Sequence, residues 1–73
     1  MSVIDIESEI AGKVWKIEAE IGEALDEEDA ILILESMKME IPVDAPEDGK
    51  VTEILVKEGD PITEGQVVAR MEV

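Results

Sequence analysis

The chain contains no cysteine and no histidine. The first absence rules out disulfides and thiolate metal sites, and the second removes the commonest metal ligand and the commonest general base. Phenylalanine and tyrosine are missing as well, so Trp15 is the sole aromatic residue. It reads as a half-buried packing residue on an otherwise aliphatic core. Basic side chains are scarce, six against twenty acidic ones, for a formal charge of −14. A surface so acidic argues against nucleic acid and anionic membrane as partners, and its plain meaning is solubility. No apolar run approaches the ~18 residues of a membrane span, and no basic, apolar leader opens the chain. The expected location is cytoplasmic.

What is present is enough to fold. Hydrophobic residues make up 45% of the 73 positions, too many for a disordered acidic tail. The length fits one domain, 1–73, near the lower limit at which a single core suffices. Enzymatic machinery is not visible. Three serines without histidine offer no activated nucleophile, no phosphate-binding loop occurs, and the acidic run at 26–30 lacks the spacing and glycine of a calcium loop.

The informative feature is an internal repeat. Shifting the chain by 37 aligns 4–35 with 41–72 without a gap. Identities fall at Ile4/Ile41, Gly12/Gly49, Lys13/Lys50, Val14/Val51, Ile17/Ile54, Gly22/Gly59, Glu27/Glu64 and Glu35/Glu72. Each copy reads as β. "GKVTEILVKEGD" alternates from Val51 to Lys57 and stops at Gly59-Asp60-Pro61, while Trp15, Ile17, Ala19 and Ile21 repeat the pattern before Gly22. "AILIL" at 30–34 and "VVARM" at 67–71 close the copies as strands. The expected architecture is all-β, a small sandwich or flattened barrel with a pseudo-twofold axis.

Local propensity disagrees at 30–43, where Ile31, Leu34, Lys38 and Ile41 approach helical spacing. The repeat overrides it. A strand ends copy one near Glu35, a new one begins at Ile41, and Pro42 opposes a helix. The chain must reverse within Ser36–Met39, placing Lys38 at the tip of a hairpin that lacks the Gly or Asn such turns favour. Both termini then come together at the end away from Lys38. A residue choice at odds with its conformation points to function, and a primary amine on such a tip can be acylated.

"ESMKME", with "APEDGKV" and "VKEGDPITEGQVV", resembles the biotinyl (biotin carboxyl carrier) domains of biotin-dependent carboxylases over essentially the whole chain. The resemblance implies a flattened β-barrel of two similar halves, with biotin amide-linked to the lysine of a Met-Lys-Met triplet on an exposed hairpin. That lysine is Lys38, flanked by Met37 and Met39. Ser36 replaces the usual Ala, and Glu35 and Glu40 are hairpin charges around it. The gapless repeat has no room for the thumb loop of some carriers. Gly65 stands where the family commonly has Gly, but Glu28 holds its place in copy one, so a differently shaped turn is expected there. The implied partners are a biotin protein ligase, a biotin carboxylase and a carboxyltransferase, for example of an acetyl-CoA carboxylase, with the isolated carrier monomeric and not itself catalytic. The nearest rival is the lipoyl carrier of 2-oxo acid dehydrogenase complexes, which shares the fold but typically shows Asp-Lys-Ala at the acceptor. An unmodified interaction module is a further alternative.

Overall fold

A computed structural model describes residues 2–73. Eight strands follow one another: β1 (Val3–Glu7), β2 (Gly12–Ile17), β3 (Ala24–Leu25), β4 (Ala30–Ser36), β5 (Met39–Asp44), β6 (Gly49–Ile54), β7 (Pro61–Ile62) and β8 (Val67–Glu72). They form two four-stranded sheets ordered β1-β8-β6-β3 and β5-β4-β2-β7, with every pairing antiparallel. The 37-residue shift maps β1–β4 onto β5–β8. Each sheet takes two strands from each copy, so the copies interlock and neither owns a sheet.

The correspondence extends to single hydrogen bonds. The Gly22 amide donates to the Val51 carbonyl at 2.7 Å, and the Gly59 amide to the Val14 carbonyl at 2.7 Å. Val14 donates back to Asp60 and Val51 back to Glu23. Side chains close the turns in matched fashion: Glu23 accepts from the amide of Glu20 as Asp60 does from that of Lys57, and Asp29 accepts from Asp26 as Gln66 does from Thr63. With Asp48 and Glu58, which accept from the Glu27 and Ile17 amides, several of the carboxylates behind the −14 charge thus hold backbone N–H groups at turns. Acidity here is partly structural.

The core is made of repeat mates: Ile6/Val43, Val14/Val51, Ala19/Val56, Leu25/Ile62, Ile31/Val68, Leu32/Ala69 and Leu34/Met71 are all buried. Strict alternation would expose every second residue, yet Ile31 and Leu32 are both buried, as are Val68 and Ala69. Bulges explain this. Register shifts pass over Ile31 between β4 and β5 and over Val68 between β8 and β1, turning an extra side chain inward. Matching shifts at Val14/Lys16 and Val51/Glu53 change the phase of β2 and β6, which end at Ile17 and Ile54. The uninterrupted alternation expected through Lys57 and Ile21 therefore does not occur; Lys57 lies beyond its strand, and Ile21 is exposed.

The expected difference between the turns at Glu28 and Gly65 is also overturned. Glu28 adopts φ 75° and Gly65 φ 84°. The Glu28 amide donates to the Ala45 carbonyl at 2.8 Å, and the Gly65 amide to that of its mate Ser8 at 2.7 Å. The shape is kept because that bond needs it, and Glu28 bears the αL cost of about 1–2 kcal/mol that glycine avoids.

Candidate functional site

β4 and β5 run as one hairpin in register, with Leu34 opposite Ile41, Glu35 opposite Glu40 and Ser36 opposite Met39. Only Met37 and Lys38 remain between them. Both have positive φ, 53° and 65°, as a type I′ two-residue turn demands of its central positions. Neither residue favours that region, so the tip is held by what flanks it: a strand whose Ile31, Leu32 and Leu34 are wholly buried, and the cross-strand pairing beyond. The helix that local propensity suggested is absent from the segment.

Burial sorts the site residues. Leu34 points into the core, Ser36 is half-buried, and Glu35, Met37, Lys38, Met39 and Glu40 are exposed. Met37 is 91% exposed and Met39 61%, an unusual display for apolar side chains. The ion pairs among the described residues are Lys16–Glu18, Arg70–Asp5 and Arg70–Glu53, so Lys38 is in none of them. Glu35 lies between Glu40 on β5 and Lys13 on β2 in register, with Lys13 offsetting the repulsion between the two carboxylates. Among the described residues, no three His, Cys, Asp or Glu side chains gather as a metal site. The chemistry offered is that of one free primary amine at the end of a paired stalk, the β4–β5 hairpin.

Gly12 contributes to that stalk, and its role was not apparent from sequence. A Cβ on Gly12 would lie 2.8 Å from the Glu35 carbonyl oxygen and 3.3 Å from the Ser36 Cβ. β2 can therefore press against the last residues of β4 only where it has no side chain. Gly49 does the same against Glu72 at the chain terminus, where its Cβ would lie 2.5 Å from the Glu72 oxygen. The Gly12/Gly49 identity was the available signal, but only the structure shows what each glycine approaches.

The expected junction of the termini is present: Ser2 and Val73 exchange both backbone hydrogen bonds, at 3.0 and 2.8 Å. Ser2 is the mate of Met39 and Val73 the mate of Ser36, so this terminal pair is the second copy's version of the hairpin base.

The geometry has close counterparts. The family model described as "Biotin-requiring enzyme" matches residues 2–71. The chain is 41% identical over 63 residues to a biotin/lipoyl attachment protein of Bacillus subtilis, covering 86% of each. It is 38% identical over 60 residues to the dihydrolipoyllysine-residue acetyltransferase component of the pyruvate dehydrogenase complex of Haemophilus influenzae, covering 82% of this chain and 11% of that protein. The crystal structure of the Kluyveromyces lactis urea carboxylase superimposes with a TM-score of 0.93 at 36% identity, over 99% of this chain and 6% of that one. The chain thus matches nearly all of a small attachment protein and a small segment of much larger enzymes. With the family model spanning almost every residue and the fold agreeing throughout, the chain belongs to the biotin/lipoyl attachment family.

Proposed function

We propose that this chain is a non-catalytic biotin carboxyl carrier in which Lys38 is the residue acylated by biotin. The observation that carries the reading is the tip itself: an exposed amine, outside every ion pair among the described residues, held at positive φ between two exposed methionines. Such a site fits a group attached by an amide to a lysine, since a ligase can surround the tip without unfolding any strand.

In this reading, the neutral Lys38 amine attacks the carbonyl of biotinyl-adenylate supplied by a biotin protein ligase. A C–N bond forms, the acyl–phosphate C–O bond breaks, AMP leaves, and the nitrogen gives up a proton to the ligase. Once attached, biotin supplies a ureido nitrogen that can take up and release a carboxyl group. This chain's part is mechanical. The paired strands hold Lys38 at their tip, and the tether presents its cargo at high effective concentration to a biotin carboxylase and then to a carboxyltransferase. Met37 and Met39 present apolar, adaptable surface for the ligase to grip, with Glu35, Ser36 and Glu40 as the hairpin context.

The presence of a lipoyl-bearing enzyme among the relatives keeps a lipoyl carrier as the second reading, against which stand Met37 and Met39 beside the acceptor. Intact-mass and peptide mass spectrometry of the protein from its native source separates the readings, because the two acyl groups differ in mass. Biotin on Lys38 is the expected result; lipoate there, or an unmodified Lys38 in an otherwise saturated pool, would reject it.

A further inference from the structure

The outward faces of the two sheets differ at matched positions. On the terminal sheet, Asp5 of β1, Arg70 of β8 and Glu53 of β6 stand side by side in register. Arg70 Nε donates to Asp5 at 2.9 Å and its Nη1 to Glu53 at 3.3 Å, so the row is a closed set of charges. Their mates on the hairpin sheet are Pro42, Ile33 and Lys16, likewise side by side in register. Here the centre is apolar: Pro42 is exposed, Ile33 is half-exposed, and Trp15, left unpaired by the bulge next to Lys16, is 48% exposed. One sheet fills this position with self-contained ion pairs, and the other leaves apolar side chains in water.

Charge sets this face apart as well. On the hairpin sheet and its tip, Lys13, Lys16 and Lys38 balance Glu35, Glu40 and Asp44, so the whole sheet carries no net charge. The other sheet carries −2, and the remaining −12 of the chain lies in the turns and loops, −7 of it in 18–29. One charged row, Glu40, Glu35 and Lys13, and the Ser36–Met39 pair separate this apolar centre from the Lys38 tip on the same hairpin. Pro42 also removes an N–H from β5, an outer strand of its sheet, which disfavours a partner adding a strand and favours one that covers the face.

We propose that this face, Ile33 and Pro42 with Trp15 beside them, is the surface on which the enzyme that acylates Lys38 docks, through a complementary apolar patch. The inference rests on Lys38 being the acceptor. Enzymes that later use a tethered cofactor can work at the length of the tether, but the acylating enzyme must bring its activated ester to the amine itself. It therefore has to approach within one lysine side chain of the hairpin and must meet the adjoining face. A neutral, apolar approach also spares the anionic adenylate from the acidic turns. A second copy of this chain is disfavoured as occupant, because pairing these faces brings two strongly acidic molecules together.

The experiment writes one sheet's solution onto the other. The triple variant Lys16→Glu, Ile33→Arg, Pro42→Asp installs the residues that the mates already use, and Trp15→Thr with Ile33→Thr removes the patch without adding charge. Labelling with biotin protein ligase, ATP and biotin is followed as kcat/KM for the carrier, alongside circular dichroism and sedimentation. Both variants are expected to remain folded monomers and to lose at least roughly tenfold in kcat/KM, mostly through KM, the scale of losing a packed anchor. Arg70→Ile on the other sheet should leave labelling unchanged. Parent-like kcat/KM in the uncharged double variant overturns the proposal, and that variant decides if the triple one does not fold. A parent dimer that these substitutions dissociate makes the face a self-interface and likewise overturns it. A parent that is not labelled at Lys38 at all defeats the proposed function itself, a different and recognisable failure.

Discussion

The Lys38 hairpin and the joined termini are one place in two copies of a unit, yet only one carries a reactive tip. Ser36 pairs with Met39 as Val73 pairs with Ser2. Gly12 lets a strand press on Glu35 as Gly49 does on Glu72. The shared parts build the stalk, and what distinguishes the hairpin is two residues at positive φ and the face beneath them, whose charges balance around an apolar centre. Scaffold and function can therefore be perturbed separately. The largest expected effect falls on function alone: Lys38→Arg keeps the charge and the turn but removes the acylatable amine. Streptavidin-detectable biotin after ligase treatment should vanish while circular dichroism stays unchanged. Labelling of the variant at the parent's rate would mean that another lysine is the acceptor, with Lys13, Lys16, Lys50 and Lys57 as the candidates.

Next in size is a test of whether the two copies share the core equally. Leu34 and Met71 are mates and both fully buried. Leu34→Ala and Met71→Ala should each destabilise by about 2–5 kcal/mol, enough to unfold much of so small a domain on warming, as measured by urea titration. Met71 is the more adaptable side chain, so its loss should cost somewhat less. A cost below ~1 kcal/mol for Met71→Ala alone would show that the hairpin half carries the core.

The turn at Glu28 offers a gain rather than a loss. Glu28→Gly removes a side chain from a conformation that its mate Gly65 adopts without one, and should stabilise by about 1 kcal/mol, a rise of roughly 4–8 °C in Tm. Gly65→Ala should fall by a similar amount. A Cβ at Gly65 meets nothing within 4 Å, so Gly65→Ala reads backbone strain without a clash. Glu28→Gly adds to the relief of strain the loss of one carboxylate from 26–29 and sets against it the greater freedom of glycine in the unfolded chain.

The sequence displayed the repeat, and the repeat located strands, core mates, the junction of the termini and the Lys38 tip, because burial on alternate sides leaves a period that duplication makes visible twice. Three things stayed hidden. Bulges at Ile31, Trp15 and their mates break the period without any residue type that announces them. Glu28 disguises a turn that Gly65 reveals. The apolar row of Ile33 and Pro42 cannot be told from core residues until register shows that it points outward with Lys16, opposite in kind to Asp5, Arg70 and Glu53.

That charged row gives the smallest expected effect and the closest control for the hairpin face. Arg70→Ile places at Arg70 the residue its mate already has and breaks both of its ion pairs. The guanidinium is more than a third exposed, so solvent screens the attraction, and pairs of this kind contribute little. The hydrogen bond to Asp5, then that to Glu53, raises the Arg70 pKa above its ordinary value. For a cation raised on folding, the stabilisation is complete below the unfolded pKa and is lost only as pH climbs through the folded one. Arg70 therefore adds no pH dependence of its own anywhere near neutrality. Arg70→Ile should shift Tm by less than about 4 °C, with the difference from the parent constant between pH 6 and 9 on calorimetry and shrinking as salt is added. A larger loss that salt does not diminish would show that the row holds β1, β8 and β6 together, and that the hairpin sheet, with Pro42, Ile33 and Lys16 in its place, must be held by its apolar side chains instead.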